Sequence, residues 1–304
     1  MGHPYTAFNF SAMETTPFAF ILFAAALAGF KEDADRFLLL SHATWDDVRL
    51  GAVVKDLQHG PKKRTRLMFA AQAGKIDRMK WLLARGARPE LRDADGMTAL
   101  DHACKAGQLL AVQVLVANRA VINPSVSNYT PLYIACQYGR AEVAMWLLQN
   151  GASAVAVCLE DETPLHVACC ACPIVVGELL NNGALVNAVT SDGYTPLNIA
   201  SQFGNLDSVI LLLEAGAFVN SENLLLNSSS LFWACKEGHL EVAMELVAQG
   251  ADVNMGRMGF FEDGTLWGQN PLDAAHLCNG GYKKRCQISE FLMEHGGIKW
   301  VADN

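Results

Sequence analysis

The sequence predicts an all-α solenoid of stacked helix pairs, and three observations carry that prediction. A hydrophobic frame returns at a fixed interval: YTPLYIACQYGR at residues 129 to 140 reappears as YTPLNIASQFGN at residues 194 to 205. The leucines marking this step are Leu67, Leu100, Leu132, Leu165, Leu197, Leu231 and Leu272, spaced by 33, 32, 33, 32, 34 and 41 residues. Glycines punctuate most periods twice, once between the two predicted helices and once after the second. The chain of 304 residues is 51% hydrophobic and 18% charged, enough apolar material for a core and too little charge for disorder. Length alone suggests two domains, but stacked repeats build one continuous core of any length.

Each regular unit has the same parts in order. In TPLHVACCAC the Thr163 hydroxyl suits a helix N-cap, and Pro164 suits the first helical position, where the missing N–H costs nothing. Small pairs follow on the inward side, such as Ala103-Cys104, Ala168-Cys169 and Ala234-Cys235, and let neighbouring helices approach closely. Gly74, Gly107, Gly139, Gly204 and Gly238 then make the turn into the second helix, with Cys172 and Asn279 in that slot in two units. The second helices carry amphipathic runs such as Val143, Met145, Trp146, Leu147 and Leu148, in which Trp146 and its counterpart Trp81 are expected in the core. They close at Gly86, Gly151, Gly183, Gly216, Gly250 and Gly296. Arg119 breaks this last series, which predicts a strained or reshaped helix end there.

A 33-residue period with T-P-L-H-x-A is the pattern of ankyrin repeats, and the chain resembles that family over roughly residues 64 to 300. The resemblance implies a solenoid of β-turn fingers and antiparallel helix pairs, with seven clear repeats. Residues 1–16 show no period and read as a flexible tail, and 301–304 as a short C-terminal tail. Residues 17–63 read as a degenerate first repeat, because Leu22, Ala25, Ala26 and Gly29 keep the offsets of Leu67, Ala70, Ala71 and Gly74. This segment includes an inserted helix around Thr44 to Leu57 and leads into a loop, HGPKKRT. The last repeat has an enlarged finger, with 17 positions from Asn254 to Pro271 against 9 from Asn187 to Pro196. It also carries NGGYKKR, residues 279 to 285, read as a lengthened turn between its two helices.

Composition narrows the function. A net charge of −8 with short, distant basic runs at Lys62 to Arg66 and Lys283 to Arg285 argues against nucleic acid as partner. The apolar run Phe18 to Phe30 is too short to span a bilayer, and no basic segment precedes it, so neither a membrane span nor a secretory signal is expected. The nine cysteines lack a disulfide-framework spacing and read as reduced thiols of a cytoplasmic protein, or a nuclear one if KKRTR serves as an import signal. No phosphate-cradling glycine loop, HExxH or nucleophile elbow is present, so the expectation is a non-catalytic protein without a cofactor.

The resemblance implies a scaffold or adaptor that binds another protein, itself monomeric, through its concave groove and fingers. It places the contact positions before each Thr-Pro-Leu and before each turn glycine. Here those positions include Tyr129 and Tyr194 at the fingers, and Lys105, Gln137, Tyr138, Gln202 and Phe203 on the first helices. Large aromatics recurring in such slots suit partner anchors, and packing along the stack is the competing role. The enlarged finger offers a second patch with Phe260, Phe261 and Trp267, which binds a partner or caps the stack. The resemblance also puts Asn187, Asn220 and Asn254 where finger asparagines can be hydroxylated. One alternative is a thiol-based redox or metal-responsive regulator using Cys169, Cys170 and Cys172, although adjacent helical positions scatter these thiols over two faces.

Overall fold

Threonine and its chemical neighbours start each inner helix. The computed structural model describes residues 58–59, 61–124, 129–221, 228–255, 257–260, 266–278 and 281–298, with the backbone alone over 58–59, 159, 257–260 and 266–268. Within these, α1 (Arg66–Gln72) and α2 (Ile76–Ala84) form the first pair, followed by α3 (Ala99–Ala106) with α4 (Leu109–Ala117) and α5 (Pro131–Gln137) with α6 (Ala141–Gln149). Then come α7 (Pro164–Ala171) with α8 (Val176–Asn181), α9 (Pro196–Phe203) with α10 (Leu206–Glu214), α11 (Ser230–Glu237) with α12 (Leu240–Ala248), and α13 (Pro271–His276) with α14 (Gly281–Glu294). Thr130 Oγ accepts the Tyr133 N–H at 3.1 Å, Thr195 Oγ that of Asn198 at 3.2 Å, and Ser229 and Asn270 do the same for α11 and α13. Each cap satisfies a donor that the helix itself leaves open.

The odd-numbered helices pack in one row and the even-numbered helices in a second row behind it. Alanine, cysteine and serine fill the seam of the inner row: Ala103, Cys104, Ala135, Cys136, Ala168, Cys169, Ala200, Ser201, Ala234 and Cys235 are all fully buried. Leucines from both rows complete the core, among them Leu100, Leu132, Leu147, Leu165, Leu179 and Leu212. Each such burial contributes about 1.5–3 kcal/mol. Trp81 and Trp146 are half-buried rather than central, packed against this core from its edge.

Two polar ladders fix the register between repeats. Asn123, Asn187, Asn220 and Asn254 each donate from Nδ2 to the carbonyl of the glycine closing the next repeat, at 2.8 to 3.2 Å, and accept an N–H two residues beyond it. On the other side, the residue after the turn glycine reaches back one repeat. Arg140 Nε donates to Lys105 O and His239 Nε2 to Gln202 O, both at 3.1 Å, and Asn205 donates to Cys169 O. This reach is a second reason for glycine at the turn. Gly204 has φ +70°, and a Cβ there would collide with the His239 ring.

The structure departs from the regular pattern in five places. Arg119 is held at φ 68° where other repeats have glycine, so the strain is real, but the end is not reshaped: the Ala120 N–H still reaches Leu115 O at 3.0 Å. In the fourth repeat Cys172 replaces the turn glycine with φ −146°, as the following Pro173 disfavours helical backbone before it, and α8 is six residues long instead of nine. The expected HGPKKRT loop instead contributes His59, Arg64 and Thr65 to a short hairpin, β1 (Gln58–His59) with β2 (Arg64–Thr65). The enlarged finger is likewise a hairpin, β3 (Arg257–Phe260) antiparallel to β4 (Leu266–Gln269), with Phe260 opposite Leu266.

The last expectation to fail concerns NGGYKKR. Residues 281 to 285 do not lengthen a turn; they extend α14 to fourteen residues against nine in α12. Lysine and arginine are good helix formers, and the added turn points into solvent. The expected tail 1–16, the degenerate repeat and inserted helix before Gln58, the tail 301–304 and residue Phe261 lie outside the described residues. Among those described, no helix is long and apolar enough to cross a membrane.

Candidate partner-binding surface

The fingers before α7 and α9 carry the polar residues that shape the central groove. Glu160 and Asp161 sit at the first finger tip with φ of 61° and 58°, a left-handed conformation that non-glycine residues rarely adopt. The next finger holds them there: the Ser191 N–H donates to Glu160 O at 2.8 Å and its hydroxyl to Asp161 Oδ2 at 2.8 Å. Three successive repeats then close around one cleft of about 470 Å3. Tyr133 and Gln137 of α5 form one wall, and Ile199, Gln202 and Phe203 of α9 the other. Val167, Cys170 and Ala171 of α7 lie between them, and Glu160, Glu162, Asp192 and Tyr194 contribute from the fingers.

His166 anchors the middle of this arrangement. Its Nδ1 accepts the Thr163 N–H at 3.1 Å, which leaves Nε2 protonated to donate to Ala188 O and Tyr194 O, each at 3.2 Å. Burial pushes the imidazole down to about 4, so it stays neutral and structural. Tyr133 lies beneath the finger and donates its phenol to Glu162. Burial first, and the Glu162 carboxylate second, hold that phenol well above its ordinary range.

The residues expected to make contact are distributed as follows. Gln137, Gln202, Tyr194 and Phe203 are brought together in the cleft. Phe203 is 52% exposed, whereas Tyr194 is half-buried with its ring 6.0 Å from that of Trp233. Tyr129, 36% exposed, stacks on Tyr133 at 5.1 Å and is not among the residues that line the cleft. Tyr138 is 41% exposed and holds the Lys105 ammonium 4.6 Å above its ring, one groove further along. Phe260 and Trp267 lie on the paired strands β3 and β4, in the finger before α13. Asp192 and Ile199 were absent from the sequence expectation. The Asp192-Gly193 turn was visible in the sequence, but its nearness to Glu160 comes only from finger-to-finger docking.

The cysteine cluster has no comparable geometry. Cys169 and Cys172 are fully buried and Cys170 is half-buried at the cleft wall. Burial pushes all three thiols up, with Glu162 adding to the effect at Cys170, so none is a ready nucleophile. Among the described residues no group of three or more metal-ligating side chains is placed to hold an ion. His102 is likewise engaged, with Nε2 2.8 Å from Asp93 Oδ2 and the Arg64 Nε 3.4 Å from the same oxygen.

Comparison with known proteins agrees with this architecture. A model of three ankyrin repeats matches residues 67–158 and 154–223, and a single-repeat model matches 227–256. Ankyrin repeat protein nuc-2 of Neurospora crassa is 32% identical over 220 residues, covering 71% of this chain and 19% of that protein. The B-cell lymphoma 3 protein homolog of mouse is 28% identical over 211 residues, covering 67% of this chain and 39% of that one. The chain thus spans about a fifth to two fifths of these relatives. The crystal structure of the human ASB11 ankyrin repeat domain superposes with a TM-score of 0.61 at 26% identity, covering 78% of this chain and all of that one. The chain belongs to the ankyrin-repeat family, whose repeats generally mediate protein–protein interaction and are generally non-catalytic.

Proposed function

We propose that this protein is a scaffold or adaptor that holds a partner protein in the groove formed by its fingers and inner helices. One observation carries the reading: three successive repeats converge on a cleft of about 470 Å3 with the side chains of Gln137, Gln202 and the exposed Phe203 turned to it. A rigid, half-exposed aromatic beside amide side chains offers apolar contact area and hydrogen bonds at small entropic cost. Tyr138 with its overlying Lys105 extends the surface toward the N-terminal repeats. The hairpin β3–β4 is a second contact element, since no regular finger needs paired strands of four residues each.

The test is affinity capture from native extract with quantitative mass spectrometry, comparing the wild type with a variant in which Tyr129, Tyr138, Tyr194 and Phe203 are all alanine. Circular dichroism first establishes that the variant folds. The reading expects at least one partner to be lost with the variant. An unchanged set of bound proteins overturns it and leaves the hairpin, residues 255 to 268, as the next element to delete.

A further inference from the structure

The central groove carries charge of one sign. Glu160, Glu162 and Asp192 line it, and among the described residues no lysine or arginine does. Three basic side chains of the inner row and its turns are occupied elsewhere, with Lys105 over the Tyr138 ring and Lys236 over the Trp233 ring, each at 4.6 Å, and Arg140 donating to Lys105 O. The one histidine in the wall, His166, is turned to backbone carbonyls on its donor side. Among the described residues no arginine or lysine pairs with the three carboxylates. A net charge of −8 over the chain reinforces the local field.

The apolar side of the groove has the complementary property. Phe203, half exposed, lines the cleft, and Tyr194 borders it from the finger before the same helix. A guanidinium is flat, carries its charge at any working pH, stacks on aromatic rings and pairs with carboxylates through two parallel hydrogen bonds. An ammonium fits the charge but lacks the plane and the fork. Resting on the groove reading above, we infer that the groove takes an arginine side chain of the partner, its guanidinium held by the Glu160, Glu162 and Asp192 carboxylates and stacked on Phe203.

The proposal is tested by methyl-detected NMR on the full chain, with Ile199, Val167 and Ala171 as reporters in the cleft and the exposed outer-row Leu110 as control. The probes are N-acetyl-arginine amide, N-acetyl-lysine amide and N-acetyl-citrulline amide, the last a neutral isostere of arginine. Saturable shifts at the three reporters with the arginine probe, absent with citrulline and weaker with lysine, are expected. The combined variant Glu160→Gln, Glu162→Gln, Asp192→Asn should weaken the arginine probe roughly tenfold, while the amide oxygen introduced at position 162 can still accept the Tyr133 hydroxyl. No saturable shift, or equal shifts from arginine and citrulline, overturns the proposal. If the titration fails and the four-alanine variant still loses its partner, only the arginine assignment falls; if that variant keeps its partner too, the groove reading falls with it.

Discussion

His166 Nε2 donates across a repeat boundary to the Tyr194 carbonyl at 3.2 Å, so a buried helix cap of one repeat positions the finger residue of the next. The same ring accepts the Thr163 N–H at Nδ1, and that acceptance requires a neutral imidazole. With the folded-state value down at about 4 and an unfolded value of 6.5, the unfolded chain binds a proton that the folded chain refuses. Stability is therefore unaffected above about pH 6.5 and falls as the pH drops from there toward 4, by up to roughly 3 kcal/mol in total. His102, also depressed by burial, adds in the same direction.

Substituting His166→Asn separates this effect from the rest. Asn198 already fills the equivalent slot in the following repeat, accepting the Thr195 N–H at 3.0 Å. The variant should keep the cap, lose about 1 kcal/mol at pH 7.5 with the two carbonyl contacts, and show a shallower decline between pH 6.5 and 4.5. Urea denaturation of both proteins at a series of pH values gives the comparison. Parallel curves would show that His166 does not carry the titration.

Arg119 offers a stabilising change. Its φ of 68° is in the region where glycine closes the other repeats, at φ between 77° and 88°. The Arg119→Gly variant should gain about 0.5–1 kcal/mol, since relief of the left-handed strain exceeds the entropic cost of glycine. A lower denaturation midpoint in the variant would mean that the arginine side chain contributes more than its backbone costs.

The turn glycine at 204 predicts the opposite sign. Gly204→Ala meets both a positive φ and the His239 ring, and its cost should be about 1–3 kcal/mol. Pairing it with His239→Ala should recover the steric part and leave the backbone part, so the two substitutions should be non-additive. Strict additivity in a double-mutant cycle would contradict the contact.

Asn187 tests the finger ladder. It bridges Gly216 O at 3.1 Å and the Phe218 N–H at 2.9 Å, and Asn187→Ala should cost about 1–2 kcal/mol. Because the ladder couples adjacent repeats, amide exchange should rise most in the finger that follows, around Phe218. A uniform rise across the chain would instead indicate a global loss of stability.

What could be read from the sequence was what is encoded locally. The period, the threonine caps and the turn glycines each depend on a few adjacent residues, and the leucine marks of all seven described repeats fall where the inner helices lie. The hairpin β3–β4 is also local, its strands lying only five residues apart in the chain, which a glycine-rich loop reading passes over. The shortened α8 follows from Pro173 in the same way. The cleft was not legible, because Glu160 and Asp192 lie in different fingers and are joined by contacts through Ser191. Nor could spacing reveal that Tyr129 stacks on Tyr133 while its equivalent Tyr194 lies against Trp233, since repeat-equivalent positions differ here in what is placed against them.

The central claim is that a partner occupies the inner groove, and site-specific photocrosslinking tests it most directly. A benzophenone amino acid is placed at position 203 in the cleft and, separately, at Met244, an exposed position on outer helix α12. Irradiation in native extract should yield a crosslinked partner from position 203 and none from position 244. A partner crosslinked from 244 but not from 203 would place the binding surface on the outer row and contradict the account.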